Sequence, residues 1–411
     1  MTRGRLVDTT LRACLDAHPI ILITGPRACG KTTTATHVAG DVIRLDRGSE
    51  AAVFRADAAA ALASFPAHPL LLDEWQEVPE IMPALKAAAD TGAPPGRFIL
   101  TGSVRPEPGI ACPATGRLIE LRLSPLTMRE MTGDATRPGL VAALIEGHTL
   151  SVDSTTPLDL GGYIDLALAG GFPHPALALG EPARRRWYDS YVDQVTGRDA
   201  LTVLRRADPD RVRRYMEAYA LHSGCVVDHK TLFDAAGINR KTAEGYEAIL
   251  CRLFVTHAVP AWSTNRLRRL VRPPKRFVID AGLMAAAARI GRADVMRDGG
   301  LMGRLIETFV HAQLAPELAA RHPSVRLYHL RTDSGGRHEV DFILDLGGNR
   351  IIAIEVKSAA GPTAADARHL AWLRDQLRDD FIEGVLLHTG NHVYPLGDRL
   401  RAIPIRALWQ A

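Results

Sequence analysis

Short apolar runs punctuate the first 120 residues. Ile20-Ile21-Leu22-Ile23 and Pro69-Leu70-Leu71-Leu72 carry no polar interruption, as expected of strands buried on both faces. Arg97-Phe98-Ile99-Leu100 is a third such strand, ending in the hydroxyl residues Thr101 and Ser103, and Leu118-Ile119-Glu120-Leu121 alternates like a half-buried one. Between the first two, Thr33 to Ala39 suits a helix. Further on, Lys230 to Ala236 reads as a short helix stopped by Gly237, and Asn239 as the cap of a second helix from Arg240 to about Arg252. Near the C-terminus, Gly303 to Val310 reads as a helix. Glu339 to Leu344 and Ile351 to Lys357 read as two strands joined by a turn at Gly347-Gly348-Asn349, with another helical stretch from Ala365 to Leu377.

The loop after the first strand carries the first chemistry. Gly25-Pro26-Arg27-Ala28-Cys29-Gly30-Lys31-Thr32, with Thr33 after it, lies between strand and helix, the context a phosphate-cradling loop requires. Its glycines let backbone N–H groups turn inward, and the helix N-terminus adds the positive end of its dipole. Lys31 is expected to bridge the β- and γ-phosphates of ATP, and Thr32 to ligate Mg2+. Asp73 and Glu74 end the second apolar strand, the one expected to lie centrally beside the loop. Asp73 would face the magnesium ion, and Glu74 would be the base that takes a proton from the attacking water. Thr101 and Ser103 are candidate γ-phosphate sensors. Arg117 is either an arginine finger, in cis or in trans, or half of a surface ion pair.

Length, composition and charge modify this outline. A chain of 411 residues with 46% apolar content supports about two to four domains, each with its own core. No apolar stretch approaches a membrane span and the first residues lack the apolar core of a secretion signal, so a cytoplasmic protein without a membrane partner is expected. Five scattered cysteines form no CxxC pair, which argues against a zinc module or a disulfide framework. The net charge of +4 is uneven: residues 205–276 hold 15 Lys/Arg against 7 Asp/Glu. That segment suggests an anionic partner, nucleic acid being the usual one, or else a solvated charged face. With Asn239, Arg240, Lys241 and Thr242 at the start of the second helix, residues 230–276 suit DNA reading, and the six cations between Asn265 and Arg276 suit a basic wing against phosphates. A structural or protein-docking role is the alternative.

Asp341, Glu355 and Lys357 form the remaining constellation. Period-two alternation puts Glu355 and Lys357 on one face, and an antiparallel return can bring Asp341 beside them, a set able to bind magnesium and position a water for phosphodiester attack. The bland alternative is an ordinary charge pattern on an edge strand. These residues resemble a PD-(D/E)xK nuclease core, in which Glu307 would be an additional metal-binding acid. No Ser-His-Asp set or HExxH motif is present.

Three phrases, Gly25-Pro26-Arg27…Gly30-Lys31-Thr32-Thr33, Leu72-Asp73-Glu74-Trp75-Gln76-Glu77-Val78-Pro79 and Leu100-Thr101-Gly102-Ser103, resemble the prokaryotic AAA-type ATPases with a C-terminal domain of unknown function, relatives of AAA+ and STAND ATPases. The likeness continues through Leu123-Ser124-Pro125-Leu126 and Gly170-Gly171-Phe172-Pro173. It implies a helical lid after the core, in which Gly171-Phe172-Pro173 resembles the turn that contacts adenine in STAND proteins. The expected fold is α/β: a P-loop ATPase core at 1–123, the lid at 124–204, a winged-helix-like basic segment at 205–270 and a PD-(D/E)xK-like α/β domain at 271–411. The expected function is a Mg-dependent ATPase coupled to DNA processing or defence. The alternative is an ATP-driven switch that binds a protein or DNA partner, its nuclease-like domain inert. A homo-oligomer is compatible with either.

Overall fold

Five parallel strands organise the first unit, residues 4–125 together with Arg252–Phe254. They are β1 (Ile20–Thr24), β2 (Asp41–Arg44), β3 (Leu70–Asp73), β4 (Phe98–Gly102) and β5 (Leu118–Arg122), in the spatial order β2-β3-β4-β1-β5. The computed structural model describes residues 3–65, 68–105, 116–148, 157–204, 206–265, 269, 272–332 and 338–410. β1, β3 and β4 are buried on both faces, which explains their unbroken apolar character. Leu22, Leu72 and Leu100 pack with Phe54, Ile81 and Leu85 into one core. β3 does not lie directly beside β1: β4 separates them, pairing Ile23 with Thr101 on one side and Leu71 with Ile99 on the other. The Asp73 strand still reaches the phosphate loop, since Thr32 Oγ1 donates to Asp73 Oδ1 at 2.8 Å. The strand that ends in hydroxyls lies next to β1, and its Thr101 reaches Asp73 as well.

The second unit comprises Arg3, Leu126–Cys251 and Val255–Ala411, so the segments expected as lid, basic segment and C-terminal domain share one unit. Thr127 caps the helix Met128–Thr132 through a reciprocal box with Glu130. Arg129 on that helix meets Glu317 of the helix Gly299–Arg321 at 2.6 Å, both nearly solvent-free. Gly171 lies against the Leu126 carbonyl, where a Cβ would come within 2.2 Å, and Phe172 is a core side chain packed on Trp187, Tyr188 and Tyr191.

Helices Pro209–Leu221, His229–Ala235 and Arg240–Arg252 precede an antiparallel ribbon of β6 (Thr256–Val259) and β7 (Lys275–Val278), to which Cys225 adds a bridge at Arg276. Gly237 takes a positive φ of 65° between the second and third helices, and Asn239 Oδ1 accepts from Thr242 N at 2.9 Å. Four of the six cations expected in a basic wing make contacts within the unit. Lys275 and Arg276 are buried, Arg276 pairs with Glu247 at 2.8 Å, Arg269 pairs with Asp345 at 2.7 Å, and Arg272 donates to the Arg331 carbonyl at 3.0 Å. Arg266 and Arg268 lie outside the described residues. Much of this positive run in sequence is thus met by carboxylates and carbonyls of the same unit.

A six-stranded mixed sheet closes the unit. Its strands are β8 (Arg326–Arg331), β9 (Glu339–Asp345), β10 (Ile351–Lys357), β11 (Phe381–His388), β12 (Tyr394–Gly397) and β13 (Leu400–Pro404), in the order β12-β13-β11-β10-β9-β8. β9 and β10 are antiparallel, with Phe342 opposite Ile354, and the helix Arg368–Leu377 packs on their core.

Candidate active site

The loop from Gly25 to Gly30 leaves β1 and enters the helix Lys31–Thr36. A Cβ on Gly25 would lie 2.1 Å from the Leu123 carbonyl oxygen, so only glycine allows the approach. Ala28 and Gly30 have φ values of 61° and 99°, which wrap the backbone around the loop's interior. Lys31 is buried and its Nζ donates to the Pro26 carbonyl at 3.0 Å. Cys29 is buried, its thiol directed at the Leu123 carbonyl at 3.5 Å, and burial raises its pKa. Arg27 is half-buried, while Thr33 is exposed on the helix.

Asp73, Glu74, Thr32, Thr101 and Ser103 converge at the carboxyl ends of β3 and β4. Thr32 Oγ1 donates to Asp73 Oδ1 at 2.8 Å, and Thr101 Oγ1 donates to the same oxygen. Thr101 Oγ1 also accepts from Glu74 N at 3.1 Å, so one buried hydroxyl ties both acids together. Glu74 has a left-handed φ of 55°, a strained conformation for a non-glycine residue that turns its side chain out of the strand. Its carboxylate accepts from Ser103 Oγ at 3.1 Å and from the Gln76 amide. A hydroxyl and a carboxylate oxygen side by side are the hard donors magnesium prefers, and Thr32 and Asp73 fit that ion.

Sequence reasoning missed two residues here. Gln76 holds Glu74, a role that its place two residues after the acid could have suggested. Arg5 supports the loop from below, donating to Cys29 O at 3.0 Å and Ser124 O at 2.7 Å. No local motif marks it.

Arg117 does not join this cluster. It precedes Leu118, which pairs with Ile20 at the start of β1, and about 13 Å of strand separates that edge from the phosphate loop. Its guanidinium pairs with Asp90 at the surface. Of the two expectations for Arg117, the surface ion pair is the arrangement present.

The second constellation takes an unexpected form. Asp341 Oδ2 accepts from Val356 N at 2.9 Å, which brings Asp341 to the end of β10, and Lys357 meets Glu355 at 2.7 Å. Burial raises Glu355 to about 7, partly offset by Lys357. Lys275, unassigned by motif, stands between Asp341 at 2.8 Å and Glu307 at 2.5 Å, its ammonium fully buried. Lys275 and Arg276, two adjoining cations opening the strand Lys275–Val278, gave no signal that set this lysine apart. Among the described residues no three Asp, Glu, His or Cys side chains group to hold a metal ion. Glu307, Asp341 and Glu355 in this arrangement are therefore not a fitted metal set: the ammonium already serves as the cation for the first two. His338, beside Glu339, stacks on Trp372.

Residues 17–132 match a family described as AAA domain. Residues 161–294 and 302–408 match two domains of unknown function, DUF8612 and DUF4143. Uncharacterized protein Rv2008c of Mycobacterium tuberculosis and uncharacterized protein Mb2031c of Mycobacterium bovis are each 27% identical to this chain over 399 residues, 96% of this chain and 82% of theirs. The Walker-type ATPase PABY2304 of Pyrococcus abyssi aligns at 16% identity and a TM-score of 0.41, covering 69% of this chain and 94% of that one, too loosely to bear on function. The first unit thus carries an AAA-type P-loop domain on a parallel α/β sheet. Among the described residues no helix is long and apolar enough to cross a membrane.

Proposed function

We propose that this chain is a magnesium-dependent ATPase whose nucleotide state controls the second unit. The observation that carries the reading is the Thr101 hydroxyl, bonded at once to the Asp73 carboxylate and the Glu74 amide, with Thr32 on the same Asp73 oxygen. Backbone N–H groups of residues 25–32 would bind the β-phosphate and Lys31 would neutralise charge on the γ-phosphate. Thr32 and Asp73 would hold magnesium, which when bound offsets phosphate charge. Glu74, oriented by Ser103 and Gln76, would accept the proton of the attacking water.

For the second unit, the Lys275 contacts to Asp341 and Glu307 favour a regulatory switch over a nuclease. The helix order and ribbon support a winged-helix-like description, and DNA contact would fall to Arg240 and Lys241, exposed at the start of their helix. Phosphate release by wild type, Lys31→Ala and Glu74→Ala tests hydrolysis; equal rates in all three would remove it. Linear and circular DNA incubated with magnesium tests the switch reading. Cleavage by wild type that Asp341→Ala abolishes would restore the nuclease.

A further inference from the structure

A cavity of about 540 Å³ opens in the second unit, and three arginines stand in its wall. Arg272, Arg276, Arg331, His229 and His329 line it, against one carboxylate, Asp228. Arg276 is neutralised by Glu247. Arg331 and Arg272 are not: Arg331 Nη1 donates to the Val226 carbonyl at 2.7 Å and Arg272 Nη1 to the Arg331 carbonyl at 3.0 Å, and neither has an ion-pair partner among the described residues. A guanidinium oriented by carbonyls keeps its full charge and its remaining N–H donors, here in fixed directions.

His329 supplies an independent sign. It is 1% exposed, its Nε2 lies 3.2 Å from the Pro273 carbonyl, and its Nδ1 has no hydrogen-bond partner. Since Nε2 must donate to that carbonyl, Nδ1 of the neutral ring is a buried acceptor awaiting a donor. Burial first, then the charge of Lys275, hold the ring neutral, with a pKa of about 4.

We propose that this cavity binds a phosphorylated small molecule of mononucleotide size, its phosphate on Arg272 and Arg331 and an N–H or O–H of its body on His329 Nδ1. The volume falls in the range of small-ligand pockets, about 300–1,000 Å³. The depth of His329 favours a compact ligand over a polymer backbone running across the surface.

The test uses the full chain carrying Lys31→Ala, so that the P-loop does not contribute. Inorganic phosphate, the common ribonucleoside monophosphates and a short single-stranded oligonucleotide are titrated by calorimetry and thermal shift. Inorganic phosphate and at least one monophosphate should bind saturably. Arg272→Gln should weaken both by about tenfold, the loss of a charge-assisted contact, with the unliganded circular dichroism spectrum retained. His329→Phe should weaken the monophosphate and spare inorganic phosphate. No saturable binding, undiminished binding by Arg272→Gln, or binding of the oligonucleotide alone would each overturn the assignment.

Discussion

Lys275 Nζ lies 2.8 Å from Asp341 Oδ1, and the ammonium is fully buried. Burial alone would disfavour a charged lysine, but Asp341 and then Glu307 outweigh it and raise its pKa. Removing one partner of a buried pair leaves the other charge uncompensated. Lys275→Met should therefore cost about 3–5 kcal/mol in urea unfolding. Adding Asp341→Asn should recover much of that loss. A single-variant cost below about 1 kcal/mol would show that the pair does not hold the unit together.

Glu307 shares the Lys275 ammonium with Asp341. Burial, then Asp341, raises it to about 8 from an ordinary 4.5, with Lys275 opposing. Between those values the folded chain binds a proton that the unfolded chain releases, and stability falls as pH rises through the window, by at most about 1.4 kcal/mol per pH unit. Glu307→Gln should flatten this slope between about pH 5 and 8. An unchanged slope in urea titrations would assign the effect to other groups.

Ser103 and Gln76 both donate to the Glu74 carboxylate. Ser103→Ala is expected to lower kcat about tenfold while leaving ATP affinity within twofold, since the base stays present but less fixed. Glu74→Gln should retain ATP and release little phosphate. Parallel losses of affinity and turnover in Ser103→Ala would point to a direct phosphate contact.

Gly25→Ala should abolish nucleotide binding. The added Cβ would sit 2.1 Å from the Leu123 carbonyl, which belongs to backbone and cannot yield as a flexible side chain would. Loss of ATP binding with the circular dichroism spectrum retained is the expected result. Normal affinity would mean that the loop has another approach to β5.

Arg117→Ala should leave phosphate release within twofold, its ion pair with Asp90 being solvent-exposed and worth about 0–1 kcal/mol. A loss of a hundredfold or more would require a second chain to bring Arg117 to a neighbour's γ-phosphate. Mixing Arg117→Ala with Glu74→Ala protein and recovering activity would then demonstrate it.

Local order explains what could be read before any coordinates. A strand, a glycine-bounded loop and a helix start follow one another within Ile20–Thr36, so the loop's chemistry depends on neighbours in sequence. The same holds for the hairpin: the turn at Gly347-Gly348-Asn349, all at positive φ, sets the register that brings Asp341 to Val356. Charge counting was less informative. It recorded the cations between Asn265 and Arg276 as a patch, whereas Arg269, Lys275 and Arg276 turn inward to Asp345, Asp341 and Glu247.

Sequence alone thus determined the phosphate loop, the paired acids at the end of β3 and the hydroxyls at the end of β4, because each is a property of a short segment and its period. Tertiary structure alone decided that β4 stands between β1 and β3, that Arg117 lies at the far edge of the sheet, and that Lys275 neutralises Asp341. Those outcomes rest on partners tens of residues away, and burial assigns each charge a partner that no local pattern records.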